Sequence, residues 1–159
     1  MSHKRQIIRE AIINQLKDKT DAGSNIYGNR AKPLFDQFLP AILVYSKQEN
    51  ILEDQYNIDG YAALKRELEI AIEAVILGGD KFDQKLDDIA SQIESALDGF
   101  EIETRKADVI KLKSTEIDYS IEGSKIYGAV RLTYSVIYRT GVVQPNNSGT
   151  PITEIESNL

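Results

Sequence analysis

The chain has 159 residues, of which 42% are apolar and 28% charged, a composition typical of a single soluble, folded domain. A formal net charge of -6, with "SHKR" at residues 2–5 as the only basic run, argues against binding to nucleic-acid phosphates. The lack of cysteine excludes disulfides, thiol nucleophiles and thiolate metal sites, and no apolar run approaches the about 20 residues that cross a bilayer.

The N-terminal segment predicts an amphipathic helix over Ser2–Lys17, with Ser2 as its N-cap. An apolar stripe at helical spacing runs through Ile8, Ala11, Ile12 and Leu16. The turn formers of Asp18–Asn25 end this helix. Because charged and apolar residues alternate here, the segment lacks the continuous apolar core of a signal peptide.

The next part of the chain predicts one short strand and one buried strand. Ile26–Arg30 is a candidate for the short strand, and Ala41–Ser46 is apolar and rich in strand-forming residues. A polar stretch follows and ends in the turn signal Asp59-Gly60.

The segment Ala63–Leu77 is ambiguous, because its residue types form helices well while its pattern alternates with a period of two. Its position between the Asp59-Gly60 turn and the Gly78-Gly79 break favours a strand. That strand would direct its apolar side chains toward the helices and its acidic side chains to the open face of the sheet. The apolar set is Leu68, Ile70, Ile72 and Ile76, and the acidic set is Glu67, Glu69 and Glu73.

A second amphipathic helix is predicted after the glycine pair, with Asp80 as N-cap and Gly99 as C-cap. Its apolar stripe consists of Phe82, Leu86, Ile89, Ile93 and Leu97.

The remaining sequence predicts a hairpin and a tail. Two β-rich runs, Val109–Ile121 and Ile126–Arg139, flank the turn signal "EGSK". Residues 141–159 are rich in Gly, Pro, Asn, Ser and Thr, which predicts a flexible C-terminal tail after a domain of residues 1–140.

These elements together predict an α/β fold of the α+β type in a single domain. The expected sheet is mixed but mainly antiparallel and has about four strands, with two amphipathic helices packed on one face.

The sequence offers no catalytic constellation, so we expect neither an enzyme nor a bound cofactor. His3 is expected to be an exposed terminal residue rather than a metal ligand or an acid–base group. The acidic residues Asp80, Asp83, Asp87 and Asp88 suit a solvated helix face near a helix N-terminus, although a hard cation such as Mg²⁺ or Ca²⁺ remains an alternative.

The tyrosines of the last two runs are expected to lie in the core or at a subunit interface, with base stacking as the less favoured alternative. They are Tyr119, Tyr127, Tyr134 and Tyr138. Arg131 and Arg139 are either plain surface charges or partners for acidic groups of a neighbouring subunit.

The order of these elements resembles the phage tail terminator proteins, the minor tail protein U-like family. The similar features are a helix of the "KRQIIREAIINQLK" type, "IYGNRA", "LPAILVYS", a charged strand like "KRELEIAIEAVI", a helix like "LDDIASQIESAL" and a last strand ending "LTYSVIYRT". The resemblance spans about Ile7 to Thr140 and rests on order and spacing rather than on any single motif.

This resemblance implies a structural protein of the phage or prophage tail. Subunits of that family assemble as a hexameric ring that caps the tail tube, ends its polymerisation and forms the surface that joins the tail to the head. The implied partners are further copies of the chain, the tail tube protein and the head–tail connector protein, with no specific nucleic acid and no membrane. The implied location is the virion tail, after assembly in the cytoplasm of a bacterial host.

Under this interpretation the open-face residues Glu67, Glu69, Glu73, Arg131 and Arg139 are the candidate subunit interface. The alternatives are another head–tail connector or neck protein, a metal-dependent enzyme of small molecules that uses the acidic helix, and a module that binds a peptide along an exposed strand edge.

Overall fold

A computed structural model describes residues 3–29, 34–58, 61–102, 110–143 and 155–156 of the chain. Its elements are, in chain order, α1 (Lys4–Leu16), β1 (Ile26–Tyr27), a short 3-10 helix (Asp36–Phe38), β2 (Ala41–Ile58), β3 (Tyr61–Leu77), α2 (Phe82–Leu97), β4 (Ile110–Glu122), β5 (Lys125–Val143) and β6 (Ile155–Glu156). The predicted α+β class is therefore confirmed.

One mixed sheet organises the molecule, and its strand order is β1-β2-β3-β5-β4. All pairs along this path are antiparallel except β1 and β2, which run parallel, and the short β6 pairs with the end of β5. The path has five strands rather than about four, because residues Ile26 and Tyr27 join the sheet beside β2. Both helices pack on the same face, as predicted.

Helix α1 begins at Lys4 because the His3 side chain caps it. The Nδ1 atom of His3 accepts a hydrogen bond of 3.1 Å from the backbone N–H of Arg5. The cap is thus His3 rather than Ser2, which lies outside the described residues. The predicted stripe is confirmed, since Ile8, Ile12 and Leu16 are fully buried against the sheet.

Strand β2 is three times longer than the predicted Ala41–Ser46 strand, because it continues through the polar stretch to Ile58. Its pairing with β3 shifts register three times between Ser46 and Tyr56. The part beyond Ser46 includes exposed residues, so it does not need the apolar pattern that identifies a buried strand in a sequence. Pairing with the long neighbour β3 keeps this polar segment extended.

The ambiguous segment Ala63–Leu77 forms strand β3 and not a helix. It pairs with β5 without a register shift from Tyr61 opposite Val143 to Leu77 opposite Tyr127. Its predicted apolar set is buried in the core beneath the helices. The two flanking strands satisfy its backbone on both sides, and this pairing outweighs the helix propensity of Leu, Lys and Glu.

Helix α2 begins at Phe82, one residue later than the predicted cap Asp80 implies. Lys81 occupies the N-cap position with a left-handed backbone (φ 64°) and makes no side-chain cap bond. At the other end Asp98 is the C-cap, and Gly99 follows with φ 65°. The predicted stripe faces the core, with Leu86, Ile89, Ile93 and Leu97 buried and Phe82 partly buried.

Phe82 is seated over a strand position that carries no side chain. A Cβ atom added to Gly128 in β5 would lie 2.4 Å from two atoms of the Phe82 ring. The replacement Gly128→Ala is therefore expected to displace this ring and to lower the free energy of unfolding by about 1–3 kcal/mol. Gly79→Ala is the matched control, since an added Cβ there meets nothing within 4 Å. If both variants lower the free energy of unfolding equally in chemical denaturation, the packing of the Phe82 ring does not require a glycine at position 128.

The predicted hairpin is confirmed as β4 and β5, joined by a turn in which Gly123 adopts φ 64°. Val109, the predicted start of the first run, lies outside the described residues, as does the Asp59-Gly60 turn. Strand β5 continues past the predicted end at Arg139 to Val143. Residues 144–154 and 157–159 are not described, so the flexible tail of residues 141–159 stays a prediction.

Candidate functional site

The described residues contain no cluster of metal-ligating side chains. No group of three or more His, Asp or Glu side chains converges there to hold a metal ion. The acidic residues of the α2 segment, Asp80, Asp83, Asp87 and Asp88, are all exposed, and so is His3. No helix in the described part of the chain is long and apolar enough to span a membrane.

The most prominent surface is apolar and lies on the β4–β5 hairpin. Ile117, Tyr119 and Ile121 are 58%, 65% and 64% exposed, and Ile126, opposite Ile121, is 41% exposed. We call these four residues the hairpin patch. In β4 they alternate with polar residues, so they share the sheet face on which the helices pack. Helix α2 covers β3 and β5, and the outer strand extends beyond the helix layer.

The same strand β4 presents an open hydrogen-bonding edge. One of its edges pairs with β5 from Ile110 to Glu122, and no described strand pairs with the other. Edge strands that remain exposed usually carry charges, prolines or bulges that discourage pairing with another chain. Strand β4 has one bulge, at Leu112/Ser114, ahead of the patch. It also carries charged residues, but in its second half they alternate with the exposed apolar residues of the patch; they are Lys111, Lys113, Glu116, Asp118 and Glu122. A long edge strand bearing exposed isoleucines is the surface expected of a protein that assembles.

A second apolar feature is an aromatic pair beside the hairpin. The rings of Phe35 and Phe38 make an edge-to-face contact with centroids 6.2 Å apart, and Phe35 is well exposed. Asp36 between them holds this segment, since its carboxylate accepts hydrogen bonds from Lys125 Nζ and, at 2.8 Å, from the Tyr127 hydroxyl. The bond from Lys125, followed by that from Tyr127, lowers the pKa of Asp36.

A row of charges crosses the open face of the sheet. Arg131 in β5 donates from Nε to Glu73 in β3 at 3.3 Å and from a terminal nitrogen to Glu116 in β4 at 3.2 Å. The Tyr45 hydroxyl of β2 donates to the same Glu73 oxygen at 2.8 Å. We call Tyr45, Glu73, Arg131 and Glu116 the open-face ladder. It links four neighbouring strands.

The sequence of the chain matches a known protein family. A sequence profile of the family described as phage minor tail protein U matches residues 3–138. The chain belongs to the phage minor tail protein U family. This U-family chain is accordingly a structural component of a phage tail, and the resemblance seen in its sequence is confirmed.

Among solved structures, the U-family chain is similar to the sheath/tube terminator of an extracellular contractile injection system, PVC, seen by cryo-electron microscopy in its extended state. The two share 12% sequence identity with a TM-score of 0.53, over 100% of this chain and 64% of that one. At this identity the match establishes a shared fold. No curated protein sequence matches the chain.

The predicted interface residues lie on the open face, but two of them form an ion pair with each other within the chain. Glu73 and Arg131 pair with each other inside the U-family chain. Glu67 and Glu69 lie opposite Ile137 and Ser135, and Arg139 lies opposite Lys65. Their role in a subunit contact stays a prediction.

The predicted tyrosines divide between core and surface. Tyr134 and Tyr138 are buried in the core, whereas Tyr119 belongs to the hairpin patch and Tyr127 holds Asp36. A continuous stacking platform is therefore wrong, because the side chains point to different faces of the hairpin.

A half-buried polar cluster went unnoticed in the sequence. Glu49 in β2 accepts hydrogen bonds from Arg5 of α1 at 2.8 Å, from Arg66 of β3 at 3.0 Å and from the Tyr138 hydroxyl. Glu49 lies in the polar stretch that sequence analysis did not assign to a strand. Strict alternation from Ile42 and Val44 places Gln48 rather than Glu49 toward the helices. The bulge at Lys47, which no sequence pattern marks, reverses this and turns Glu49 toward them.

Proposed function

We propose that this U-family chain assembles into a homohexameric ring that caps the tail tube. The ring ends polymerisation of the tube protein and presents the surface that joins the tail to the head connector. The proposal places the chain in the virion tail after assembly in the cytoplasm of a bacterial host. The family match and the terminator-like fold support a tail role, and the ring itself rests on the resemblance and on the surfaces of the monomer.

The observation that carries this proposal is the hairpin patch on the open edge of β4. Three large apolar side chains at alternate positions of one edge strand favour contact with another protein. A ring needs a heterologous contact, in which one patch of each subunit meets a different patch of the next and the set closes on itself. In this proposal the hairpin patch is one side of that contact, and Glu67, Glu69 and Arg139 contribute charges to the contact from the opposite, open face of the sheet.

The oligomeric state tests the role of the patch. The paired replacement Ile117→Thr and Ile121→Thr keeps β-branched side chains of similar shape but makes the exposed surface polar. Each lost apolar contact weakens association, so the concentration of half-assembly is expected to rise at least about tenfold, which corresponds to 1.4 kcal/mol. The measurement is the mass distribution across protein concentration, followed by electron microscopy of the rings.

The matched control is Ile117→Val with Ile121→Val, which retains an apolar surface and is expected to assemble like the parent chain. Unchanged assembly of the threonine variant would exclude the hairpin patch from the subunit contact. The capping role has its own test, in which the chain is added to polymerising tail tube protein. We expect tubes to stop growing and to carry a ring at one end, whereas undiminished growth would contradict the proposed function.

A second candidate function is binding of an extended peptide along β4, favoured by the same open edge. A chain that stays monomeric at every concentration while binding such a peptide would support this alternative against the ring.

A further inference from the structure

A cleft with an acidic rim lies where the end of α2 meets the hairpin strands. Its volume is about 410 Å³. Glu94 and Asp98 contribute the acidic side chains, while Leu97 and Ile110 contribute apolar surface. Tyr134, from the neighbouring strand β5, also lines the cleft. The site thus combines an apolar wall, two carboxylates and a phenol within one concavity.

The Tyr134 hydroxyl has no partner within the described part of the chain. The residue is 4% exposed and borders the cleft, yet no described group exchanges a hydrogen bond with its hydroxyl. Burial, with a smaller contribution from the charge of Glu94, raises its pKa to about 12, so the hydroxyl stays protonated near neutral pH. The Tyr134 oxygen is not among the side-chain atoms that are both fully buried and without a partner, so it reaches the surface of the cleft. A polar group that enters the cleft could exchange a hydrogen bond with it.

The negative charge of the cleft favours a positively charged ligand over a neutral or negative one. Glu94 and Asp98 add two negative charges beside the C-terminal end of α2, where the helix dipole is itself negative. No basic residue in the last turn of the helix compensates them. A hard metal ion would need more oxygen ligands than these residues supply, and no cluster of three such ligands occurs among the described residues.

The apolar wall of the cleft favours a cation that is attached to an aliphatic chain. Lysine and arginine side chains have aliphatic stems that pack on apolar surface while their charged ends stay in a polar environment. Leu97 and Ile110 suit such a stem, and the two carboxylates with the Tyr134 hydroxyl suit its charged end.

We propose that this cleft receives a lysine or arginine side chain from a protein partner. The stem would pack against Leu97 and Ile110, and the cation would pair with Glu94 and Asp98 while donating a hydrogen bond to the Tyr134 oxygen. Placing the partner within the phage tail rests on the proposed function, whereas the chemistry of the cleft does not.

The first test titrates the full chain with N-acetyl-lysine amide and N-acetyl-arginine amide, using N-acetyl-norleucine amide as the uncharged analogue. Nuclear magnetic resonance follows the methyl signals of Leu97 and Ile110 and the ring signals of Tyr134. We expect saturable binding of a cationic probe, at least about tenfold tighter than binding of the uncharged analogue. Equal response to charged and uncharged probes would overturn the proposal.

Variants of the chain distinguish binding in the cleft from general attraction of cations to an acidic protein. Glu94→Gln with Asp98→Asn is expected to weaken cationic probe binding at least about tenfold, and Tyr134→Phe is expected to weaken it severalfold while keeping the buried ring. Asp87→Asn with Asp88→Asn makes the same charge change on exposed positions of the same helix and is expected to leave binding unchanged. An equal loss in this control pair would overturn a specific site.

The tube-capping assay distinguishes the two proposals. A parent chain that stops tube growth but does not prefer the cationic probes overturns the cleft and leaves the proposed function standing. A parent chain that prefers the cationic probes but lets tubes grow overturns the capping role and supports the cleft.

Discussion

Replacing Ile72 with alanine is expected to lower the free energy of unfolding by about 2–5 kcal/mol, the range for removing a large apolar side chain from a packed core. Ile72 lies in the middle of β3, opposite Val44 of β2 and Leu132 of β5, and it is fully buried. Truncation there leaves a cavity with strands on both sides. A central strand bonded to two neighbours has little freedom to close such a cavity, so we expect the upper half of the range.

Ile117→Ala is the matched control, because it makes the same chemical change in another strand of the same sheet. Ile117 is more than half exposed in the monomer, so its truncation is expected to change stability by no more than about 0.5 kcal/mol. The measurement is urea denaturation at a concentration where the chain is monomeric. If Ile72→Ala destabilises the chain no more than Ile117→Ala does, β3 does not present Ile72 to the core.

The behaviour of β3 shows why much of the fold was predictable from sequence. Residue types between Ala63 and Leu77 favour a helix, but a period of two distributes apolar and acidic residues on opposite sides of an extended chain. The glycine pair after it and the hairpin further on supply the neighbours that a strand needs. Periodicity reports which side of a segment is buried, so it outperforms propensity wherever packing determines the structure.

Features set by tertiary contacts were not predictable in the same way. The end of β2 could not be placed, because its last part pairs with β3 without a continuous apolar face. The start of α2 depends on a left-handed Lys81 and on the seat of Phe82 over Gly128, a contact between residues distant in the chain. Neither feature leaves a local pattern.

The candidate surface was predicted only in part. The sequence placed Glu73 and Arg131 on the open face correctly, but their register opposite each other makes them partners within one chain. The exposure of Ile117 and Ile121 could not be foreseen, because alternating isoleucines in a strand usually indicate a core. Their exposure becomes clear only from the structure, in which this part of β4 lies beyond the helices that cover the core.

Glu49→Ala is expected to cost about 3 kcal/mol of unfolding free energy, near the lower end of the range for breaking a buried ion pair. The Glu49 and Arg66 side chains are only 13% and 15% exposed, so removing the carboxylate leaves a guanidinium without its charge partner in a poorly hydrated position. The Tyr138 hydroxyl loses its acceptor as well. We place the cost at the lower end because Arg5, the third partner, remains substantially exposed to water.

Glu116→Ala provides the comparison, since Glu116 also pairs with an arginine but on the surface. Its side chain is 58% exposed in the contact with Arg131, and exposed ion pairs contribute about 0.2–1 kcal/mol. Denaturation of both variants under the same conditions measures the difference. Equal destabilisation would show that water screens the Glu49 cluster as fully as it screens a surface pair.

The pH dependence distinguishes the charge of Glu49 from its packing. Burial alone would raise the pKa of this carboxyl, but hydrogen bonds from Tyr138 and Arg66 and the charges of Arg66 and Arg5 outweigh burial and lower it. A lowered pKa stabilises the folded chain above the unfolded value of about 4.3, and this stabilisation is lost as the pH falls through the folded value. The stability difference between the parent chain and Glu49→Gln should therefore be full at neutral pH and shrink in acid. A difference that stays constant from about pH 7 to pH 3 would assign the effect of Glu49 to its shape and hydrogen bonds rather than to its charge, because glutamine retains the size of the side chain but cannot ionise.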